Sequence, residues 1–114
     1  MTLLSILKIV AAIGTLATGL LTLFWPHAAA QFVGLSPTGP RGTTEIRTTL
    51  GGTFIGLGMA PLLLGAPVAY QVLGIMYLEM AAIRLASLFI DRSQEQSNYI
   101  SVVLEIAFGV ILVL

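Results

Sequence analysis

Four long apolar stretches fill this chain, and Arg47, Glu79, Arg84 and Glu105 sit within the last three of them. A charge at the centre of a membrane helix costs about 2.5–3.5 kcal/mol on insertion scales. Such residues are therefore expected to face one another, a polar cavity or a partner. Apolar residues make up 57% of the chain and charged residues 9%, against roughly 45–50% and 25% in soluble domains. A water-soluble fold could not cover its surface from that supply. The expected class is all-α, an integral membrane four-helix bundle with a short interfacial helix in the first loop, forming a single transmembrane domain over residues 1–114.

Composition also excludes functions. Five basic and five acidic residues cancel, so no basic patch exists to neutralise phosphates, and nucleic acid is not an expected partner. There is no cysteine, which removes disulfides, iron–sulfur clusters and thiol chemistry. A lone His27 is too few for a histidine-based metal site, and no residue pattern assigns a cofactor. Gly51-Gly52-Thr53-Phe54-Ile55-Gly56 lacks the spacing and strand context of a nucleotide fingerprint. With no nucleophile–base pair or phosphate loop in view, catalysis is the less favoured class, and only a tuned carboxylate at Glu79 or Glu105 would supply it.

The first span is expected over residues 3–24, with Phe24 and Trp25 at interfacial depth and Pro26 ending it. Lys8, the apolar run after it and Ala28-Ala29-Ala30 could be read as a signal peptide. However, the run from Ile9 to Trp25 exceeds the roughly 7–15 residues of such a segment, so a retained helix is expected. Residues 26–33 suit two surface turns, opened by proline and stopped by Gly34. Ser36 to Gly42 reads as a loop. The second span is expected over 44–64 behind a Thr44 cap, with Glu45 in its first turn and Pro61 disturbing its last. Gly65-Ala66-Pro67 is short enough to make spans two and three antiparallel. The third span is placed at 68–90 and the fourth at 97–114. Arg41 and Arg92, with Arg47 and Arg84 nearest the same surface, put loops one and three in the cytoplasm of a bacterial inner membrane.

Helical spacing sorts residues by face. In the first span Lys8, Ala11, Thr15, Thr18 and Thr22 fall together, a small and hydroxyl face suited to helix packing. In the second, Glu45, Thr48, Thr49, Gly52 and Gly56 form a stripe, with Gly52 and Gly56 as a GxxxG pair and Gly51 beside them. In the third, Tyr77, Arg84, Ser87 and Asp91 share a side, and Glu79 points roughly 140° away from Arg84. In the fourth, Asn98, Ser101, Glu105 and Gly109 line up. Arg84 and Glu105 fall at nearly equal depth on consecutive antiparallel helices, about 9 and 12 Å from the loop surface. They are the first candidates for a direct bidentate ion pair.

Glu45-Ile46-Arg47-Thr48-Thr49-Leu50-Gly51-Gly52, then Arg84 with Ser87 and Asp91, then Glu105, together resemble the bacterial four-span membrane family filed as domain of unknown function 4345. Phe24-Trp25-Pro26 and Phe32-Val33-Gly34-Leu35 are similar to that family's first loop. The resemblance covers nearly the whole chain, and its most specific element is the spacing of Glu45, Arg47, Gly51 and Gly52. It implies a four-helix membrane bundle somewhat like DoxX-type proteins and brings no function. It also implies a glycine after Asp91; this chain has Arg92 there, which argues against a tight turn.

The leading functional expectation is a polar pocket formed by Glu45, Arg47, Tyr77, Glu79, Arg84 and Glu105. It would bind a small lipophilic molecule with a polar end, of lipid, quinone or isoprenoid type. Gly51, Gly52, Gly56, Thr15, Thr18 and Gly109 are the expected helix-packing residues. The alternative is a non-catalytic accessory subunit, its charges fixing register or meeting a membrane protein partner or another copy of the chain. A carboxylate-dependent enzyme or proton carrier is third.

Overall fold

The computed structural model describes residues 2–114, and no strand occurs among them. Helix α1 is Leu3–Phe24, α2 Pro26–Phe32 and α3 Gly39–Glu45. A π-helical segment, Ile46–Gly52, joins α3 to α4, Thr53–Leu64. Then come α5, Pro67–Ile90, and α6, Gln96–Val113. Helices α1, α5 and α6 are long and apolar enough to cross a membrane. Their surfaces agree: Val10 and Ile13 of α1, Val72 and Ile75 of α5 and Val103 of α6 are exposed, while Thr15, Thr22 and Glu105 are buried. A largely apolar outer surface over these helices, with polar groups among the buried residues, suits a protein whose solvent is hydrocarbon.

The helix ends follow local chemistry. Pro26 opens α2 and Pro67 opens α5, where a missing N–H costs nothing. Gly34, at φ 80°, ends α2, and the Leu35 N–H reaches back to the Ala30 carbonyl at 2.8 Å. Gly65, at φ 67°, makes the turn into α5.

One boundary differs from the expectation. Helix begins at Gly39 rather than at Thr44, so much of the expected Ser36–Gly42 loop is helical. Pro40 is the reason: within a first turn its fixed φ favours helix. Thr44 is consequently a mid-helix residue and caps nothing.

By backbone contacts the chain forms two compact units, Ala12–Leu64, and Gly65–Leu114 with the start of α1 up to Ala11. Within the first, α1 meets the π segment and α4 backbone to backbone. A methyl on Gly19 would lie 2.5 Å from the Ile55 nitrogen and 2.7 Å from the Gly51 carbonyl oxygen. One on Gly58 would lie 2.5 Å from the Leu16 nitrogen. Only glycine permits such an approach.

The packing glycines are therefore Gly19, Gly51 and Gly58. The expected Gly52–Gly56 pair does not pack: both are exposed, and nothing comes within 4 Å of a methyl at Gly56. In the wider π turn the buried residues are Ile46 and Gly51, five apart, as i→i+5 geometry favours. Gly58, two α-turns beyond Gly51, holds the same side. Gly52 and Gly56 are left facing out. On α1, Thr15 and Thr22 are buried as expected, but Thr18 is exposed and donates to the Gly14 carbonyl at 2.9 Å. Gly19 takes the packing position instead.

In the second unit α5 and α6 form an antiparallel hairpin. The buried residues of α5 are Leu73, Gly74, Tyr77, Ala81 and Leu88, and those of α6 are Val102, Glu105, Gly109 and Leu112. The α6 series advances in steps of three and four, and Gly74, Tyr77, Ala81 and Leu88 in steps of three, four and seven, with Leu73 beside them, so each helix buries one stripe. At one end Gly74 and Gly109 let the backbones close, with a methyl at Gly74 coming 3.0 Å from the Gly109 carbonyl oxygen. Tyr77 sets its ring edge-on to Phe108 at 5.5 Å, a favoured aromatic arrangement.

The hairpin turn is tight despite lacking a glycine. Arg92 adopts φ 53°, and the Ser93 N–H reaches the Leu88 carbonyl at 3.2 Å, as in a Schellman ending. The sequence argued against this turn because a side chain is costly there. The cost, about 1–2 kcal/mol for an L-residue, is borne by Arg92, not avoided.

Candidate functional site

The α5 stripe carries Arg84 toward α6, and the α6 stripe presents Glu105 and Asn98 two turns apart on the facing side. Arg84 Nε donates to both Glu105 oxygens, at 2.9 Å to Oε1 and 3.2 Å to Oε2. Its Nη2 donates to Oε2 at 2.9 Å. The bidentate pair expected from equal depth is present. Arg84 Nη1 donates to Asn98 Oδ1 at 3.0 Å, and Asn98 Nδ2 donates to the Ser93 carbonyl at 2.8 Å. The network thus runs from the middle of α6 through Arg84 to the hairpin turn. The turn is held in place by the same residues that position the guanidinium.

The pair is lopsided in exposure. The Glu105 side chain is 6% exposed and that of Arg84 27%. The open edge of Arg84 looks into a cleft of about 340 Å³ lined by Met80, Ile83, Arg84, Ser87, Ser93 and Asn98. A guanidinium has five N–H donors; three are engaged here, leaving one hydrogen on Nη1 and one on Nη2. The Ser87 hydroxyl also lines the cleft without a protein hydrogen bond among the described residues. Donors, one amide and two apolar walls therefore converge on one opening at the end of the hairpin.

The other expected pocket residues lie elsewhere. Glu79 is exposed near the midpoint of α5, and its carboxylate makes no hydrogen bond or ion pair among the described residues. Once the Leu73–Tyr77–Arg84–Leu88 side turns to α6, the roughly 140° offset swings Glu79 outward. Arg47 is exposed too, because Ile46 and Gly51 take the buried side of the π segment. Glu45 is exposed as well. Its carboxylate pairs with Arg41 one turn earlier and accepts from the Thr49 hydroxyl at 2.6 Å. Tyr77 is buried against Phe108 and does not line the cleft. The expectation that Arg47 and Glu79 turn inward with the others is thus corrected.

Sequence reasoning passed over Met80, Ile83, Ser93 and Gly74 as site or packing residues. It put Asn98 and Ser87 on the correct faces without giving them a role. Asn98 sits seven residues before Glu105 on one stripe, and that spacing was the available signal. Nothing in the sequence singles out Met80 or Ile83, apolar residues in an apolar helix.

No curated protein and no solved structure matches the chain. A family model does match, the Domain of unknown function (DUF4345), and it covers residues 3–114. That range takes in α1, the π segment, the Arg84–Glu105 pair and the hairpin turn, so the chain belongs to this family.

Proposed function

We propose that the chain is a four-span membrane protein whose α5–α6 cleft binds the polar end of a small lipophilic molecule. The helical run Gly39–Leu64 is the fourth span in this reading. The cleft end of the hairpin, with Arg92 in its turn, faces the cytoplasm in this reading. The observation that carries the reading is the asymmetry of the ion pair: Glu105 is sealed in while Arg84 keeps donor hydrogens toward an open cleft. A pair that served only to fix register would gain nothing from that opening, whereas a ligand headgroup would use it. Met80 and Ile83 supply the apolar walls that a lipophile needs beside its head.

The test is to fill the cleft without touching the pair. In Ser87→Trp, purified in mild detergent, a co-purifying lipophile is expected to fall at least tenfold relative to the native protein. Fold, judged by helical circular dichroism, should be retained. An unchanged bound species at unchanged occupancy refutes the proposal.

A second reading, an accessory subunit of a membrane assembly, is favoured by one observation. An exposed carboxylate near the midpoint of a span, Glu79, is costly against lipid. A partner helix with a basic residue at that depth would relieve the cost. Native mass spectrometry of complexes drawn from membranes decides. A stoichiometric protein partner lost in Glu79→Leu supports this reading, and an unaccompanied chain carrying a lipophile opposes it.

A further inference from the structure

We infer that the cleft selects a neutral headgroup presenting two acceptor oxygens of carbonyl type, and discriminates against anionic headgroups. This rests on the cleft reading above and narrows it. The guanidinium meets the cleft already neutralised: Glu105 holds Nε and Nη2 at 2.9 Å, so the pair carries no net charge. Among the described residues no other ionisable side chain lines the opening. A phosphate or carboxylate entering would add a negative charge beside a buried carboxylate, with nothing to balance it. A carbonyl brings no such cost.

The hydrogen-bond inventory points the same way. Toward the cleft Arg84 keeps one hydrogen on each terminal nitrogen and the Ser87 hydroxyl can donate a third, while the Ser93 hydroxyl, whose hydrogen goes to the Ser87 carbonyl at 3.3 Å, offers only a neutral acceptor oxygen. Asn98 Oδ1 and Nδ2 are each engaged once, so what remains of the amide is one acceptor and one donor in balance. Glu105, the strongest acceptor nearby, is shut off at 6% exposure. A ligand that must donate, such as a free alcohol or an amine, finds few acceptors here. One carbonyl oxygen can accept from the terminal nitrogens of Arg84, and a second can accept from the Ser87 hydroxyl. A cleft of about 340 Å³ holds a head of that kind and not a long chain. The tail must leave past Ile83, which is exposed on α5. Two sources share this chemistry, the ester carbonyls of an uncharged glycerolipid and the ring carbonyls of a quinone.

The experiment uses the purified full chain in detergent micelles, with binding read by thermal shift and by titration calorimetry. Three probes are compared: trioctanoylglycerol, a short-chain alkyl benzoquinone and dioctanoyl phosphatidic acid. At least one neutral probe should bind tenfold or more tightly than phosphatidic acid, and which of the two binds identifies the source. Glu105→Gln should reverse the order, since an uncompensated Arg84 then attracts the anion. Equal or tighter binding of phosphatidic acid to the native protein overturns the neutral-head inference while leaving a ligand cleft standing. Binding of none of the three to the native protein overturns both. If Glu105→Gln does not fold, the ranking on the native protein decides alone.

Discussion

The two units hold their helices together by different means. In Ala12–Leu64 the contacts are between backbones: α1 lies against the π segment and α4 at Gly19, Gly51 and Gly58, with no charged side chain buried. In the α5–α6 hairpin, glycine contact at Gly74 and Gly109 secures one end, and the Arg84–Glu105–Asn98 network secures the other. Glycine contact needs no polar group and leaves no opening. A network of long polar side chains leaves donor groups to spare, and the cleft lies beside it. Small residues therefore serve close packing in both units, and the ion pair is the feature that needs another explanation.

The largest effect should come from breaking the pair on one side. Glu105→Ala leaves Arg84 without its counter-charge and should cost about 3 kcal/mol, the low end for a broken buried pair. Replacing both, as Arg84→Leu with Glu105→Leu, should cost less than about 1 kcal/mol. Unfolding in mixed micelles measures both, and equal losses would mean that the pair itself supplies the stability.

In the other unit, Gly58→Leu drives a side chain into the Leu16 backbone and should cost about 2–3 kcal/mol, as overpacking does. Gly56→Leu, two positions away, should be nearly neutral by the same unfolding measurement. If Gly56 proves the more sensitive, the helix is turned the other way.

Asn98→Ala removes one bond to Arg84 and one to the hairpin turn, and should cost about 1–2 kcal/mol. It should also speed amide exchange at Ser93; unchanged exchange there would detach the turn from the network.

The smallest effect is a gain. Arg92→Gly relieves the left-handed backbone and should stabilise by up to about 1 kcal/mol, read as a rise in melting temperature. A fall would show that the arginine side chain contributes more than its backbone costs.

Much of this was legible in the residues. The ends of α1, α5 and α6 follow from apolar run length, Pro67 and the polar 91–96 segment, because hydrocarbon thickness sets helix length. The Arg84–Glu105 pair followed from depth alone. What failed were statements about which way a helix turns. The π segment is invisible to α-helical spacing, so Gly52 and Gly56 are expected to pack alongside Gly51, Gly58 is not singled out, and Arg47 is expected inside. For Glu79 the offset from Arg84 is legible, but not that the side turned away from α6 is left exposed. Helix rotation depends on packing between elements, and a mostly apolar helix such as α5 carries little signal about its own inner face.

The direct test of the account is the lipophile content of the doubly apolar variant, Arg84→Leu with Glu105→Leu, measured by mass spectrometry of extracts from equal amounts of folded protein. Near-native stability with at least a tenfold loss of the bound molecule is the expected result, since packing survives and the donor edge is gone. Native occupancy in that variant would contradict the account and leave the pair as a packing device.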